Sequence, residues 1–121
     1  MFVLDTNVLI YYAAGNREVA GFFDRYEQEI FYLPSIVVAE FLSYPLITQE
    51  VINKFRHFAS QTIILNLDFA IAELTAELRR AYKLKLADSI VAASALISDS
   101  VLVTRNTRDF RRIKGLRLAE I

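Results

Sequence analysis

Short apolar runs and longer stretches with a helical apolar period alternate along the whole chain. The runs are Phe2-Val3-Leu4, Ile30-Phe31-Tyr32-Leu33, Thr62-Ile63-Ile64-Leu65-Asn66 and Val101-Leu102-Val103-Thr104, with Leu116-Arg117-Leu118 a candidate fifth. Each is too short for a buried helix and is bounded by turn-forming or polar residues, as strands are. Between them the pattern predicts a helix from about Thr6 to Ala14, stopped by the Gly15-Asn16 turn pair. The next runs from Arg17 to about Tyr26 and buries Val19, Ala20, Phe22 and Phe23. Pro34-Ser35 opens another, with proline suited to a first helical turn and Pro45 just past the helix end. Thr48 caps a helix from about Gln49 to Ala59, Asp68 starts one reaching Tyr82, and Ala87 to Ser98 forms the last. Glu73, Glu77, Arg79 and Arg80 fall on the wet side of the Asp68 helix.

Strands alternating with helices predict an α/β fold, a three-layer α/β/α arrangement with a small parallel sheet of four or five strands. The first run has no polar alternation, as expected of a central strand buried on both faces. No internal repeat, low-complexity tract or linker breaks the pattern, so residues 1–121 read as a single domain. At 55% hydrophobic, such a chain can bury a substantial core.

Composition removes several kinds of chemistry. Without cysteine there are no disulfides, zinc-thiolate sites or thiol nucleophiles, and a single histidine, His57, cannot make a His-rich metal site. No apolar run approaches the roughly 18 residues of a membrane-spanning helix. The core strand follows Met1 directly and leaves no room for a signal peptide before the fold, so the expectation is a cytoplasmic protein with no membrane partner. A formal charge of zero conceals an asymmetry. Residues 1–78 hold 4 basic and 10 acidic side chains, and residues 79–121 hold 10 basic and 4 acidic. The basic half includes Arg79, Arg80, Lys83, Lys85, Arg105 and Arg108. It is suited either to contact with a polyanion or simply to keeping surface helices soluble.

The candidate chemistry is carboxylate chemistry. Asp5 falls where the first strand ends and a helix begins, the edge of a parallel sheet at which ligands sit. It is equally placed to be a plain N-cap. Glu40 has Ile36, Val37 and Tyr44 as helical neighbours, which predicts a carboxylate on the apolar face or at the rim of the core. Asp88 lies near the start of a helix whose Ala92, Ala93, Ser94 and Ala95 suit close packing on the sheet, and it too is a candidate cap. One shared site accounts for three such acids more simply than three separate accidents. The fourth strand ends on the same edge as the first, which brings Thr104, Asn106 and Asp109 towards Asp5. Otherwise this is a polar loop in which Asp109 caps a turn around Phe110.

Taken in order, Leu4-Asp5-Thr6-Asn7-Val8-Leu9-Ile10, Glu40 after Ser35-Ile36-Val37-Val38-Ala39, Ala87-Asp88-Ser89-Ile90-Val91-Ala92-Ala93 and Thr104-Arg105-Asn106-Thr107-Arg108-Asp109-Phe110 resemble a PIN-domain ribonuclease. The chain is similar in particular to VapC-type toxins of toxin–antitoxin pairs, over essentially its whole length. The resemblance implies a PIN-like fold and an acidic cluster of Asp5, Glu40 and Asp88 that holds Mg²⁺ or Mn²⁺, with Thr6 and Thr104 orienting the acids. Many members carry a fourth acid where this chain has Asn106, which leaves Asp109 as the remaining candidate. It also implies an RNA substrate cut to 5′-phosphate and 3′-hydroxyl ends and a cognate antitoxin; a homodimer is the expected assembly.

Elementary chemistry agrees. Acids would repel an RNA backbone unless a divalent ion bridged them, and such an ion both acidifies bound water and offsets charge at phosphorus. Asp5 and Asp88 would then be principal ligands, and Glu40 a ligand through water or a proton acceptor. Arg79, Arg80, Lys83, Lys85, Arg105 and Arg108 would hold the strand by its phosphates. Two other readings compete. A phosphatase with a strand-end nucleophile needs Asp-x-Asp, and the third position here is Asn7. A non-catalytic PIN-like scaffold would bind RNA or protein without cutting. Tyr11, Tyr12 and Phe23 offer a homodimer or antitoxin-docking surface, or are ordinary core.

Overall fold

The computed structural model describes all of residues 1–121. Strand β1 (Phe2–Leu4) is followed by helices α1 (Thr6–Ala13) and α2 (Arg17–Arg25), then β2 (Phe31–Pro34), α3 (Ser35–Leu42) and α4 (Gln49–Ser60). The second half contains β3 (Ile63–Leu65), α5 (Phe69–Tyr82), α6 (Leu86–Ile97), β4 (Val101–Thr104), α7 (Thr107–Phe110) and β5 (Leu118–Glu120). The five strands form one sheet in the order β3-β2-β1-β4-β5. Every neighbouring pair is parallel.

This order places β1 at the centre. The chain first winds outward through β2 to β3, then returns past β1 to build β4 and β5. Right-handed crossovers therefore put α1–α4 over one face and α5–α6 over the other. Val3 and Leu4 on β1 point to opposite faces, as do Leu102 and Val103 on β4, and all four are fully buried. Helix α6 packs on β1, β2 and β4 and lies against α5. Its buried Ala92, Ala93, Ser94 and Ala95 permit that approach, and Ser94 satisfies its hydroxyl by donating to the Ile90 carbonyl. On the other side an aromatic cluster of Phe2, Phe22, Phe23, Phe31 and Phe58 ties α2 and α4 to β1 and β2. Phe23 is thus a half-buried member of this cluster rather than an exposed docking residue.

Local signals fixed most helix starts. The side chains of Asn16, Thr48 and Asp68 accept from the backbone N–H three residues on, at 3.1, 3.2 and 2.9 Å. Gly15 holds φ +84° in the turn between α1 and α2. Three expectations need correction. Pro34 is the last residue of β2, extended at ψ 138° and paired with Leu65, and it precedes helix α3 instead of forming its first turn. The fifth strand begins at Leu118, because Leu116 is still held in a turn by its N–H bond to the Ile113 carbonyl. Residues 107–110 form a short helix, α7, pinned by the fully buried Phe110.

Candidate active site

The site is built where the winding of the sheet reverses, between the C-terminal ends of β1 and β4. Ladder bonding continues one residue past β1, since the Asp5 N–H donates to the Val103 carbonyl at 3.1 Å. The Asp5 side chain then turns into the gap. Its Oδ1 accepts from the Thr6 N–H at 2.8 Å as the N-cap of α1, and its Oδ2 accepts from the Thr104 hydroxyl at 2.8 Å. The cap and the site are therefore the same carboxylate. Asp5 is only 5% exposed. Burial pushes its pKa up to about 6, aided by the negative charges of Asp88 and Glu40 and opposed by the bonds from Thr104 and Thr6.

Glu40 is exposed at the last turn of α3. This corrects the expectation that it shares the apolar face: α3 ends at Leu42, so Tyr44 is not on the helix at all. Its Oε1 accepts from the Thr6 hydroxyl at 2.6 Å. Asp88 is the third residue of α6, half-buried, and does not cap the helix; Lys85 stands at that position. Burial raises the Asp88 pKa, with further upward pressure from Glu40 and then Asp109, and Lys85 opposes it. Asp109 sits on α7 and accepts from the Asn106 amide at 3.0 Å. The electrostatic couplings thus run from Asp5 to Glu40 and Asp88, and from Asp88 to Glu40 and Asp109.

A second layer of polar side chains fixes these acids. The Thr104 Oγ1 donates to Asp5 and also accepts from the Asn106 N–H at 2.9 Å and, at 3.5 Å, from the Asn7 amide. Asn7 in turn accepts from the Arg105 N–H through Oδ1 at 3.2 Å. Asn7 is thus a bridging residue that the sequence pattern does not single out. Its signal was its place two residues after Asp5, on the first turn of the helix that Asp5 caps.

None of the ion pairs, Met1–Glu29, Lys54–Glu50 and Arg117–Asp99, involves Asp5, Glu40, Asp88 or Asp109. Nor do any three acidic or histidine side chains converge tightly enough to hold a metal ion between them. The donor set still fits one kind of ion. Four carboxylates that form no salt bridge, two of them with raised pKa values, suit a hard divalent ion that keeps several waters and takes few direct ligands. They do not suit an ion fully wrapped by protein.

The six expected strand-holding cations separate. Lys85 stands at the start of α6 beside Asp88, Arg105 follows Thr104 directly, and Arg108 is exposed on α7. Arg79 spends its Nε on the Leu84 carbonyl at 3.2 Å, bracing the turn between α5 and α6. Arg80 and Lys83 are exposed at the end of α5. A groove of about 720 Å³ lies between α1 and α4, lined by Leu9, Tyr12, Phe41, Phe55 and Phe58 and by none of the four acids.

A parallel α/β sheet with an oxygen-only cluster of acids, hydroxyls and amides at its switch point defines the class of this domain. Within that class the PIN domain family model matches residues 2–116, and the chain belongs to that family. No curated protein sequence matches the chain significantly. Among solved structures it is similar to a toxin–antitoxin complex from Klebsiella pneumoniae, with 32% identity, a TM-score of 0.82 and 100% of each chain covered. It shares its fold with VapBC2 from Rickettsia felis bound to a DNA fragment from its promoter, at 22% identity and a TM-score of 0.87, covering 99% of this chain and 98% of that one. FitAcB from Neisseria gonorrhoeae is 28% identical, with a TM-score of 0.78 and coverage of 98% and 96%. No helix is long and apolar enough to cross a membrane.

Proposed function

We propose that this PIN domain is the toxin of a type II toxin–antitoxin module, a metal-dependent endoribonuclease acting in the cytoplasm. The observation that carries the reading is the buried Asp5 carboxylate, raised to about 6 beside Glu40 and Asp88 with no ion pair to offset it. Such a site is electrostatically incomplete and gains by taking up a cation.

In this reading Asp5 and Asp88 hold Mg²⁺ or Mn²⁺, with Asp109 contributing through water. The bound ion supplies an acidified water and offsets charge on the phosphodiester. Thr104 keeps the Asp5 carboxylate oriented by its 2.8 Å bond. Thr6 holds Glu40 at the exposed rim, where Glu40 takes the proton of the attacking water. Asn106, tied to Asp109, keeps α7 against this edge. Lys85, Arg105 and Arg108 contact the strand closest to the acids, and Arg80 and Lys83 extend the track. The neighbours from toxin–antitoxin complexes support a cognate antitoxin as partner, and the groove between α1 and α4 is the surface offered to it. A homodimer is the proposed assembly.

The test is cleavage of single-stranded RNA by the purified chain with Mg²⁺ or Mn²⁺, then with EDTA. Cutting that EDTA stops and Asp5→Asn abolishes is expected. A second reading, a non-catalytic scaffold, is favoured by the open spacing of the acids. Metal-independent RNA binding without any cutting would establish it instead. Growth arrest on expression, relieved by a small protein encoded next to it, tests the toxin role.

A further inference from the structure

The hydroxyl that anchors Asp5 has its own direction set from helix α1. A hydroxyl carries one proton and accepts at two lone pairs. At Thr104 the accepting sides face donors of the protein, the Asn106 N–H at 2.9 Å and the Asn7 side-chain amide at 3.5 Å. The proton goes to Asp5 Oδ2, at 2.8 Å. Thr104 is fully buried, so bulk water does not compete for its hydroxyl.

Asn7 can stand only one way round. The Arg105 N–H donates to its Oδ1 at 3.2 Å, and a backbone N–H cannot accept, so the NH₂ end of the amide is turned to Thr104. The contact at 3.5 Å is long and adds little energy by itself. Its effect is directional: a hydroxyl proton pointed that way would meet another proton. Tyr11, one turn further along α1, gives a second hold on the same loop, since the Arg105 guanidinium carbon lies 4.3 Å from its ring centroid.

The direction of that proton matters because the Asp5 carboxylate is tied at both oxygens, to the Thr6 N–H and to Thr104. Two anchors fix its plane and leave a lone pair on each oxygen for a cation. With one anchor the carboxylate turns freely about its last bond, a broad torsion with no sharp minimum. We infer that Asn7 is a positioning residue for the metal site: by turning the Thr104 hydroxyl onto Asp5, it presents that carboxylate to a divalent ion in one fixed orientation. This role rests on the metal reading above and adds to it a residue that touches no ion.

The test is a double-mutant cycle in the full-length chain. Bound Mn²⁺ is read from the loss of the free-ion electron paramagnetic resonance signal, and thermal midpoints are taken in EDTA. Asn7→Ala is expected to weaken Mn²⁺ binding about tenfold, the usual cost of losing a group that orients a metal ligand. Thr104→Val, which removes the hydroxyl and keeps the shape, should weaken it at least as much. In the Thr104→Val background, Asn7→Ala should change the affinity by no more than about twofold, because both residues act through one group. Tyr11→Leu, which leaves both Asn7 bonds in place, should also stay within about twofold of the wild type. Should Asn7→Ala not fold, Asn7→Ser, too short to span both partners, is read in its place.

A lowered midpoint in Asn7→Ala with unchanged Mn²⁺ affinity would make Asn7 a structural staple and overturn the inference. Additive losses in the double variant would overturn it too, as would a loss in Tyr11→Leu equal to that in Asn7→Ala. A wild type that takes up no Mn²⁺ would remove the metal reading and this role with it. RNA cleavage is measured separately, so a coupled cycle in a chain that never cuts RNA would keep the positioning role and remove only the nuclease.

Discussion

Asp5 is destabilising where the protein is expected to work. Its pKa is about 6 in the folded chain against 3.8 as the ordinary value, so between those values the native state holds a proton that the unfolded chain has lost. Its contribution to stability is complete below about pH 4 and is lost as pH rises through 6, amounting to roughly 3 kcal/mol for a shift of about two units. Asp88 moves in the same direction. In EDTA the thermal midpoint should therefore fall from pH 5 to pH 7.5, and Asp5→Asn should remove most of that fall. A midpoint that rises over this interval would contradict the electrostatics. Millimolar Mg²⁺ or Mn²⁺ should raise the wild-type midpoint at pH 7.5, since an ion binding only the folded chain stabilises it by mass action. Asp5→Asn should lose that response, as differential scanning fluorimetry would detect.

Among the elements, α7 matters more to the site than its four residues suggest. Phe110 is fully buried and anchors it, while Asp109, bonded to Asn106, is near enough to Asp88 to push its pKa up. Phe110→Ala should cost about 3 to 5 kcal/mol by emptying that anchor. At a temperature where the variant is still folded, it should also cut RNA more slowly than Asp109→Asn does alone, because all of α7 loosens. Equal rates would mean that α7 acts only through Asp109. The sequence hid this helix because four residues carry no apolar period, and only Phe110 marked it. The exposure of Glu40 is hidden for a related reason. Helix α3, Ser35–Leu42, is apolar nearly all round, so its pattern does not say which side faces water, and Tyr44 lies past its end. Where polar and apolar positions did contrast, as in α2, α4 and α5, the helices fell within a residue or two of expectation, and the caps Asn16, Thr48 and Asp68 marked their starts. Asp5 and Thr104 were legible because a parallel sheet brings the ends of β1 and β4 together whatever lies between. The Tyr11–Arg105 stack was not, because nothing in a sequence pairs residues 94 positions apart on different elements.

At the scale of the molecule, closing the sheet around β1 leaves two edge strands, and they are unequal. On β5, Leu118 and Ala119 are half-buried. On β3, Ile63 is 50% exposed, and the loop beyond it adds Leu67 and, at the start of α5, Phe69 at 80%. An apolar edge strand with no lysine, proline or bulge to blunt it invites a second chain. The formal net charge of zero gives no general repulsion to prevent pairing. The expected state is a homodimer that covers this strip. Sedimentation at micromolar concentration should give twice the mass of the 13.9 kDa chain. Phe69→Glu should shift it to the monomer, because a charge in a desolvated contact is costly unless paired. The variant's thermal midpoint should stay near that of the monomeric wild type at low concentration, since Phe69 contributes little to the core of its own chain. A wild type that sediments as a monomer at high concentration would show that the exposed edge is tolerated, or reserved for a different protein.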